Sequence, residues 1–191
     1  MTLDVVKYGN PVLRQKGARV EKINAEIKQL IADMLETMHA AHGVGLAAQQ
    51  IGKALQLTVL DVRAATDRPS TFQRNGKEED INTVMPLILI NPEVKPVGEI
   101  IPGSEGCLSF PEIYGEIPRP AMAEVRATNE KGDTIQFQCG GLLARAIQHE
   151  VDHLNGILFI DRMSRVDKDV LKPELDELQA ETKAALKVKK K

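Results

Sequence analysis

The chain has 191 residues, 42% hydrophobic but only 3% aromatic, with a formal net charge of −2, so it can bury a sizeable core built from aliphatic and methionine side chains. That charge gives no basis for DNA as a substrate, no apolar run approaches the ~20 residues of a membrane span, and Met1-Thr2-Leu3-Asp4 does not open a secretory signal. Two cysteines make no disulfide framework, so a cytoplasmic location is expected, with an organellar mature form as the alternative.

Asn24 is a suitable N-cap for a helix whose apolar positions Ile27, Leu30, Ile31, Met34, Leu35 and Met38 form one core-facing stripe. His39 and His42 stand at its end, as caps or solvent-facing residues. In Gly43-Val44-Gly45-Leu46-Ala47-Ala48-Gln49-Gln50, the two glycines are expected to end the helix and turn the chain in the left-handed conformation. Their missing side chains also let a substrate backbone lie against Val44 and Gly45.

Strand patterns follow at Leu55 to Val62, Leu87 to Ile90, Ala123 to Thr128 and Thr134 to Cys139, the last two joined as a hairpin across Asn129 to Asp133. Residues 64–85, with the charge run Lys77-Glu78-Glu79-Asp80, read as a solvated loop insertion; a lid beside a substrate cleft is the alternative. Cys139 alternates with Ile135 and Phe137 and reads as a small core residue. Cys107 has no such context: it follows a Pro102-Gly103 turn in a loop-to-strand segment, Glu105-Gly106-Cys107-Leu108-Ser109. Strands clustered between helices favour an α+β fold with antiparallel β-sheets over a doubly wound one.

A helix is predicted from about Gly141 to Asn155, with Gly156 placed to end it. It carries His149-Glu150-Val151-Asp152-His153. Two histidines four positions apart differ by roughly 40° in direction, so both imidazoles leave one face and can grip a single ion. Glu150 lies beside that face and is free to move a proton, an arrangement suited to hydrolysis. A tetrahedral site needs a third protein ligand and one open position. Phe159 stands where a metzincin would place its third histidine, which excludes that class. Glu174 and Glu177 lie at the distances thermolysin-like enzymes use, yet Glu174 follows Pro173 at a helix start, where the dipole explains an acid. Cys107 is the remaining candidate.

Beyond the metal-binding helix, Pro173 to Lys187 is rich in helix formers, with Leu171, Leu175, Leu178 and Leu186 available for packing and a closing Lys189-Lys190-Lys191 run. No internal repeat or second-domain boundary is evident, so 1–191 reads as one domain with a basic C-terminal tail.

Three separated motifs, Gly43 to Gln50, Glu105 to Ser109 and His149 to His153, stand in the order found in peptide deformylases, and the chain resembles that family, in the type that ends in a helix. The resemblance spans nearly the whole chain. It implies that the predicted sheets surround a central metal-binding helix, with helices at either end. Cys107, His149 and His153 would hold one ion, Fe²⁺ by resemblance, with Zn²⁺, Ni²⁺ or Co²⁺ as substitutes, since thiolate and imidazole donors do not choose among them.

The implied substrate is an N-formylmethionyl nascent peptide, from which water activated by the metal and Glu150 releases formate. The Gln50 side-chain amide and the Leu108 N–H would stabilise the developing oxyanion; Val44, Gly45 and Leu142, with the ring face of His149, would take the methionine. The terminal helix would dock on the ribosome, its lysines suiting RNA phosphate; no membrane partner is implied. A zinc endopeptidase and a non-catalytic metal-stabilised binding module are the rival readings.

Overall fold

Asn24 accepts a hydrogen bond from the Ile27 N–H at 2.9 Å and opens α1, Ala25–Ala40, satisfying one orphan amide of the helix start. Ile31, Met34 and Met38 of the predicted stripe are buried, and Ile27, Leu30 and Leu35 pack at the margin of the same cluster. In the computed structural model, which describes residues 1–188, that cluster joins α1 to β1 (Gly45–Ala47) and β2 (Leu57–Leu60). The chain leaves α1 through His42, at φ 54°. The left-handed position therefore belongs to His42, and the expectation of left-handed conformations at Gly43 and Gly45 is corrected.

The fold is α+β, with one seven-stranded antiparallel sheet in the order β1-β2-β5-β6-β7-β3-β4. The further strands are β3 (Ser70–Arg74), β4 (Lys77–Glu78), β5 (Leu87–Cys107), β6 (Phe110–Thr128) and β7 (Thr134–Gly140). The strand expected to stop at Ile90 runs on to Cys107, and the one expected from Ala123 begins at Phe110. Pro102 and Gly103 are thus no turn but lie within a strand, opposite Pro118 and Ile117. Register shifts at Ile90/Glu93, Val97/Ile100 and Gly106/Cys107 break the two-residue alternation, and frequent Pro and Gly hide it further. The chain reverses at Leu108-Ser109, where Cys107 pairs with Phe110. The predicted β6–β7 hairpin is present, its loop closed by Asn129 Oδ1 accepting from the Lys131 and Asp133 N–H groups.

Residues 64–85 are not a passive loop. They contain β3, β4 and α2 (Ile81–Val84), and β3 adds to the sheet beside β7 with Phe72 opposite Cys139. Phe72 is fully buried and stacks on Phe137 at 4.6 Å. Pro69 O and Ser70 Oγ accept from the Leu142 and Leu143 N–H groups, each at 3.0 Å. The segment therefore caps the first turn of α3 (Gly141–Leu154), satisfying amides that a helix start leaves open.

Helix α3 buries Leu143, Ala144 and Ile147 against Phe72, Leu89 and Val125 of the sheet and ends where Gly156 adopts φ 72°. The chain closes with α4 (Arg165–Val170) and α5 (Lys172–Val188). Leu175 is buried with Leu13, Phe110 and Phe159, and Leu171 and Leu178 pack at the edge of that cluster. The Lys189–Lys191 run lies outside the described residues. No helix among those described is long and apolar enough to cross a membrane.

Candidate metal centre and active site

Helix α3 presents His149 and His153 on one face, as four-residue spacing requires, and the end of β5 delivers Cys107 to them. The sulfur and two imidazole nitrogens lie within 4.8 Å of one another, with Cys107 Sγ 3.3 Å from His153 Nε2. Glu174 and Glu177 are exposed on α5, and Phe159 is a core residue against Phe110. Among Cys107, Glu174 and Glu177, only Cys107 reaches the histidines.

Around this cluster is a buried ionic network. Glu105 Oε2 lies 2.8 Å from His149 Nδ1, so Nδ1–H donates to it, and in the neutral ring Nε2 is the nitrogen with the lone pair that an ion needs. Arg119 and Arg145 also donate to Glu105, at 3.0 Å from Arg119 Nη2 and 3.0 Å from Arg145 Nη1. Arg119 Nη1 continues to Asp152 at 2.8 Å, where Arg162 Nη2 joins at 2.6 Å. Burial alone would raise the Glu105 pKa, but hydrogen bonds from His149 and Arg119 overcome it and hold the group at about 2. Burial pushes His153 well below its usual range, which keeps the imidazole neutral, as a ligand must be. For His149, burial is outweighed by hydrogen bonds with Cys107 and Glu105, which raise it.

In the sequence, Glu105 and Asp152 stand out only as motif letters, and Arg119, Arg145 and Arg162 do not stand out at all. No local pattern marks an arginine in a Pro-rich strand as a partner of a helix 33 positions away.

Replacing Glu105 by Gln is expected to weaken metal binding by roughly 10- to 100-fold, since it removes the carboxylate that orients His149. Because the folded pKa is depressed from 4.5 to about 2, the carboxylate contributes about 3 kcal/mol above pH 4.5, lost as pH falls through 2. Denaturation of the metal-free proteins at pH 7 and pH 3 tests this. A stability gap between wild type and variant that fails to narrow in acid would refute the assignment.

Glu150 is buried, and its Oε2 has no hydrogen-bond partner among the described residues. Burial raises its pKa from 4.5 to about 7, a useful range for a group that must both take and return a proton. Gly45 makes room for it: a Cβ there would stand 2.5 Å from Glu150 Oε1 and 2.8 Å from Cγ. Gln50 is also buried, and its Oε1 accepts from the Ala47 N–H at 2.9 Å. That fixes the amide orientation, so Nε2 points to Cys107 Sγ and Ser109 Oγ, 3.4 Å from each. Leu108 occupies the β5–β6 turn, its carbonyl accepting from Lys7 Nζ at 2.7 Å.

Val44, Gly45, Gln50, Cys107, Leu108, Leu142, His149 and Glu150 all line one cleft of about 530 Å³, and His153 lies outside that lining with its Nε2 3.3 Å from Cys107 Sγ. Lys7, His42 and Tyr114 line it as well, though nothing in the sequence singles them out for this position. His39 stands in the last turn of α1 and is exposed, as expected; its Nε2 also lies 3.0 Å from Asp61 Oδ2, and the Asp61 N–H donates to Val44 O. One sulfur and two imidazole nitrogens within reach of one another, with a buried carboxylate oxygen beside them that is unpartnered among the described residues, fit a divalent ion with an open coordination position.

The polypeptide deformylase family model matches residues 2–169. A peptide deformylase of Opitutus terrae is 45% identical over 190 residues, covering 98% of each chain. Among solved structures, a peptide deformylase from Synechococcus elongatus in complex with actinonin superposes with a TM-score of 0.74 at 39% identity, covering 94% of this chain and 85% of that one. An Arabidopsis thaliana peptide deformylase 1B with an inhibitor gives a TM-score of 0.82 at 32% identity, over 96% and 93%. Sequence, fold and the Cys-His-His cluster agree, and this chain belongs to the polypeptide deformylase family.

Proposed function

We propose that this enzyme removes the N-formyl group from the N-terminal formylmethionine of newly synthesised proteins, releasing formate, with Fe²⁺ held by Cys107, His149 and His153. The observation that carries the reading is the buried Glu150 carboxylate, fitted against Gly45 in the cleft that Cys107 and His149 also line. When bound, the ion supplies a Lewis acid that brings water ionisation into the neutral range. Fe²⁺ is assigned from family membership, because the donor set also accepts Zn²⁺, Ni²⁺ or Co²⁺.

Glu150 takes a proton from the attacking water as its oxygen bonds to the formyl carbon. Negative charge develops on the formyl oxygen, where the Gln50 Nε2 and the Leu108 N–H donate. The C–N bond then breaks as Glu150 returns the proton to the departing nitrogen, leaving formate and a free methionyl N-terminus. Gly45 and Leu108 crowd the carbonyl, so formyl, the smallest acyl group, is admitted ahead of acetyl. Val44, Leu142 and the His149 ring face accept the methionine side chain.

Anaerobic Fe²⁺-loaded enzyme is expected to release formate from formyl-Met-Ala-Ser and to leave acetyl-Met-Ala-Ser nearly untouched. Formyl-Ala-Ala-Ser should react more slowly by roughly 10- to 200-fold, because side-chain discrimination in an apolar pocket is graded. Equal turnover of the acetylated peptide, or internal cleavage without formate, would move the assignment to an endopeptidase.

A further inference from the structure

The N-terminal segment preceding α1 contributes nothing to the three family motifs, yet three of its consecutive residues reach the turns that carry Gln50 and Leu108. The Val6 N–H donates to Gln50 O at 2.8 Å, the Tyr8 N–H to Ser109 O at 2.9 Å, and Lys7 Nζ to Leu108 O at 2.7 Å. Gln50 Nε2 itself touches Ser109 Oγ at 3.4 Å. One short stretch thus ties the segment bearing the side-chain amide to the turn bearing the backbone donor.

The stretch is itself pinned. Tyr8 stacks on Phe110 at 4.8 Å, and the next residue, Gly9, adopts φ 107° with α5 so close that a Cβ would stand 2.8 Å from Gln179 O. Only glycine fits there, and the contact stops the segment from sliding along its partners. Lys7 is half-buried in the cleft wall, and an ammonium donating to a carbonyl in such a setting makes a stronger hydrogen bond than a neutral donor.

We propose that Lys7 is a positioning residue for deformylation: through the Leu108 carbonyl it fixes the Leu108-Ser109 turn, and so the direction of the Leu108 N–H relative to the Gln50 amide. The inference rests on the reading of those two groups as oxyanion donors. Donors aimed in advance at developing charge contribute to kcat far more than to ground-state binding, so Lys7 acts on kcat through geometry without touching substrate.

The test compares Lys7→Met, Lys7→Gln and Lys7→Arg with Gln50→Ala, each as full-length, metal-loaded enzyme with metal content and melting temperature recorded. Lys7→Met is expected to lower kcat on formyl-Met-Ala-Ser by about 10-fold, less than the ~10²-fold for removing a donor outright, with KM within about twofold and metal stoichiometry unchanged. Lys7→Arg should restore most of the rate, and Lys7→Gln, a shorter neutral donor, should fall between. In the double variant, the loss from Lys7→Met should persist once Gln50 is Ala, since the Leu108 N–H that Lys7 positions is then the remaining donor to the oxyanion.

If Gln50→Ala alone leaves kcat unchanged, the oxyanion reading fails and takes the proposal with it. If Gln50→Ala lowers kcat while Lys7→Met lowers only the melting temperature, or raises KM at constant kcat, Lys7 has no positioning role although the oxyanion reading stands. Should Lys7→Met not fold, a Lys7→Gln rate equal to wild type excludes the positioning role in the same way.

Discussion

Glu150→Gln is expected to keep its full metal content and lower kcat by about 10²- to 10⁴-fold, the usual range for a general acid–base group. The amide matches the carboxylate in size, so the cleft and the neighbouring His149 ligand stay in place, but it cannot accept a proton from water and pass it to the departing nitrogen. KM should change little, because the group acts on atoms in motion more than on bound substrate. Rates measured anaerobically, with metal content determined on the same samples, decide the matter; a near-normal kcat at full occupancy would remove Glu150 from the mechanism.

The ionisation of Glu150 adds a second readout. Its folded pKa is raised from 4.5 to about 7 by burial. In metal-free protein its contribution to stability is therefore fully present below pH 4.5 and is lost as pH rises through 7. Glu150→Gln has no such loss, so its melting temperature should gain on metal-free wild type between pH 5 and pH 8.

Gly45→Ala is expected to reduce kcat by on the order of 10²-fold while the metal remains bound. The added methyl would stand 2.5 Å from Glu150 Oε1 and 2.9 Å from its Cδ, closer than carbon and oxygen can pack. Gly45 lies in β1, paired with Leu60, and Glu150 lies in a helix held at its start by Pro69 and Ser70. Neither backbone yields easily, so the carboxylate must turn. A displacement of about 1 Å at a reacting group costs about that factor. The three atoms nearest the new methyl all belong to Glu150, so metal content should match wild type. Wild-type turnover would show that the Glu150 position is not set by this contact, and loss of metal together with activity would mean that the whole of α3 had shifted.

The pairing of His149 and His153 was legible because a helix repeats every 3.6 residues, and two ligands four apart need no knowledge of the rest of the chain. The Asn24 cap, the Asn129–Asp133 hairpin loop and the stop at Gly156 were legible for the same reason: each is decided within a few residues of itself. Cys107 could be chosen by eliminating Glu174 and Glu177, and the order of the three motifs named the family.

Tertiary structure alone decided the rest. The lengths of β5 and β6 were hidden because pairing across a long ribbon overrides the local aversion of Pro and Gly to strands. Residues 64–85 looked like solvent-exposed loop because a single buried aromatic, Phe72, anchors β3 there. Gly45 could be recognised as part of a motif, but its physical reason, the approach of a carboxylate from α3, required both elements in place. The Glu105–Arg119–Asp152 network and the reach of Lys7 to Leu108, 101 positions along the chain, leave no period or cap in the sequence. Contacts of that kind are fixed by how the elements pack, and a side chain's partner across the fold is not encoded in its neighbours along the chain.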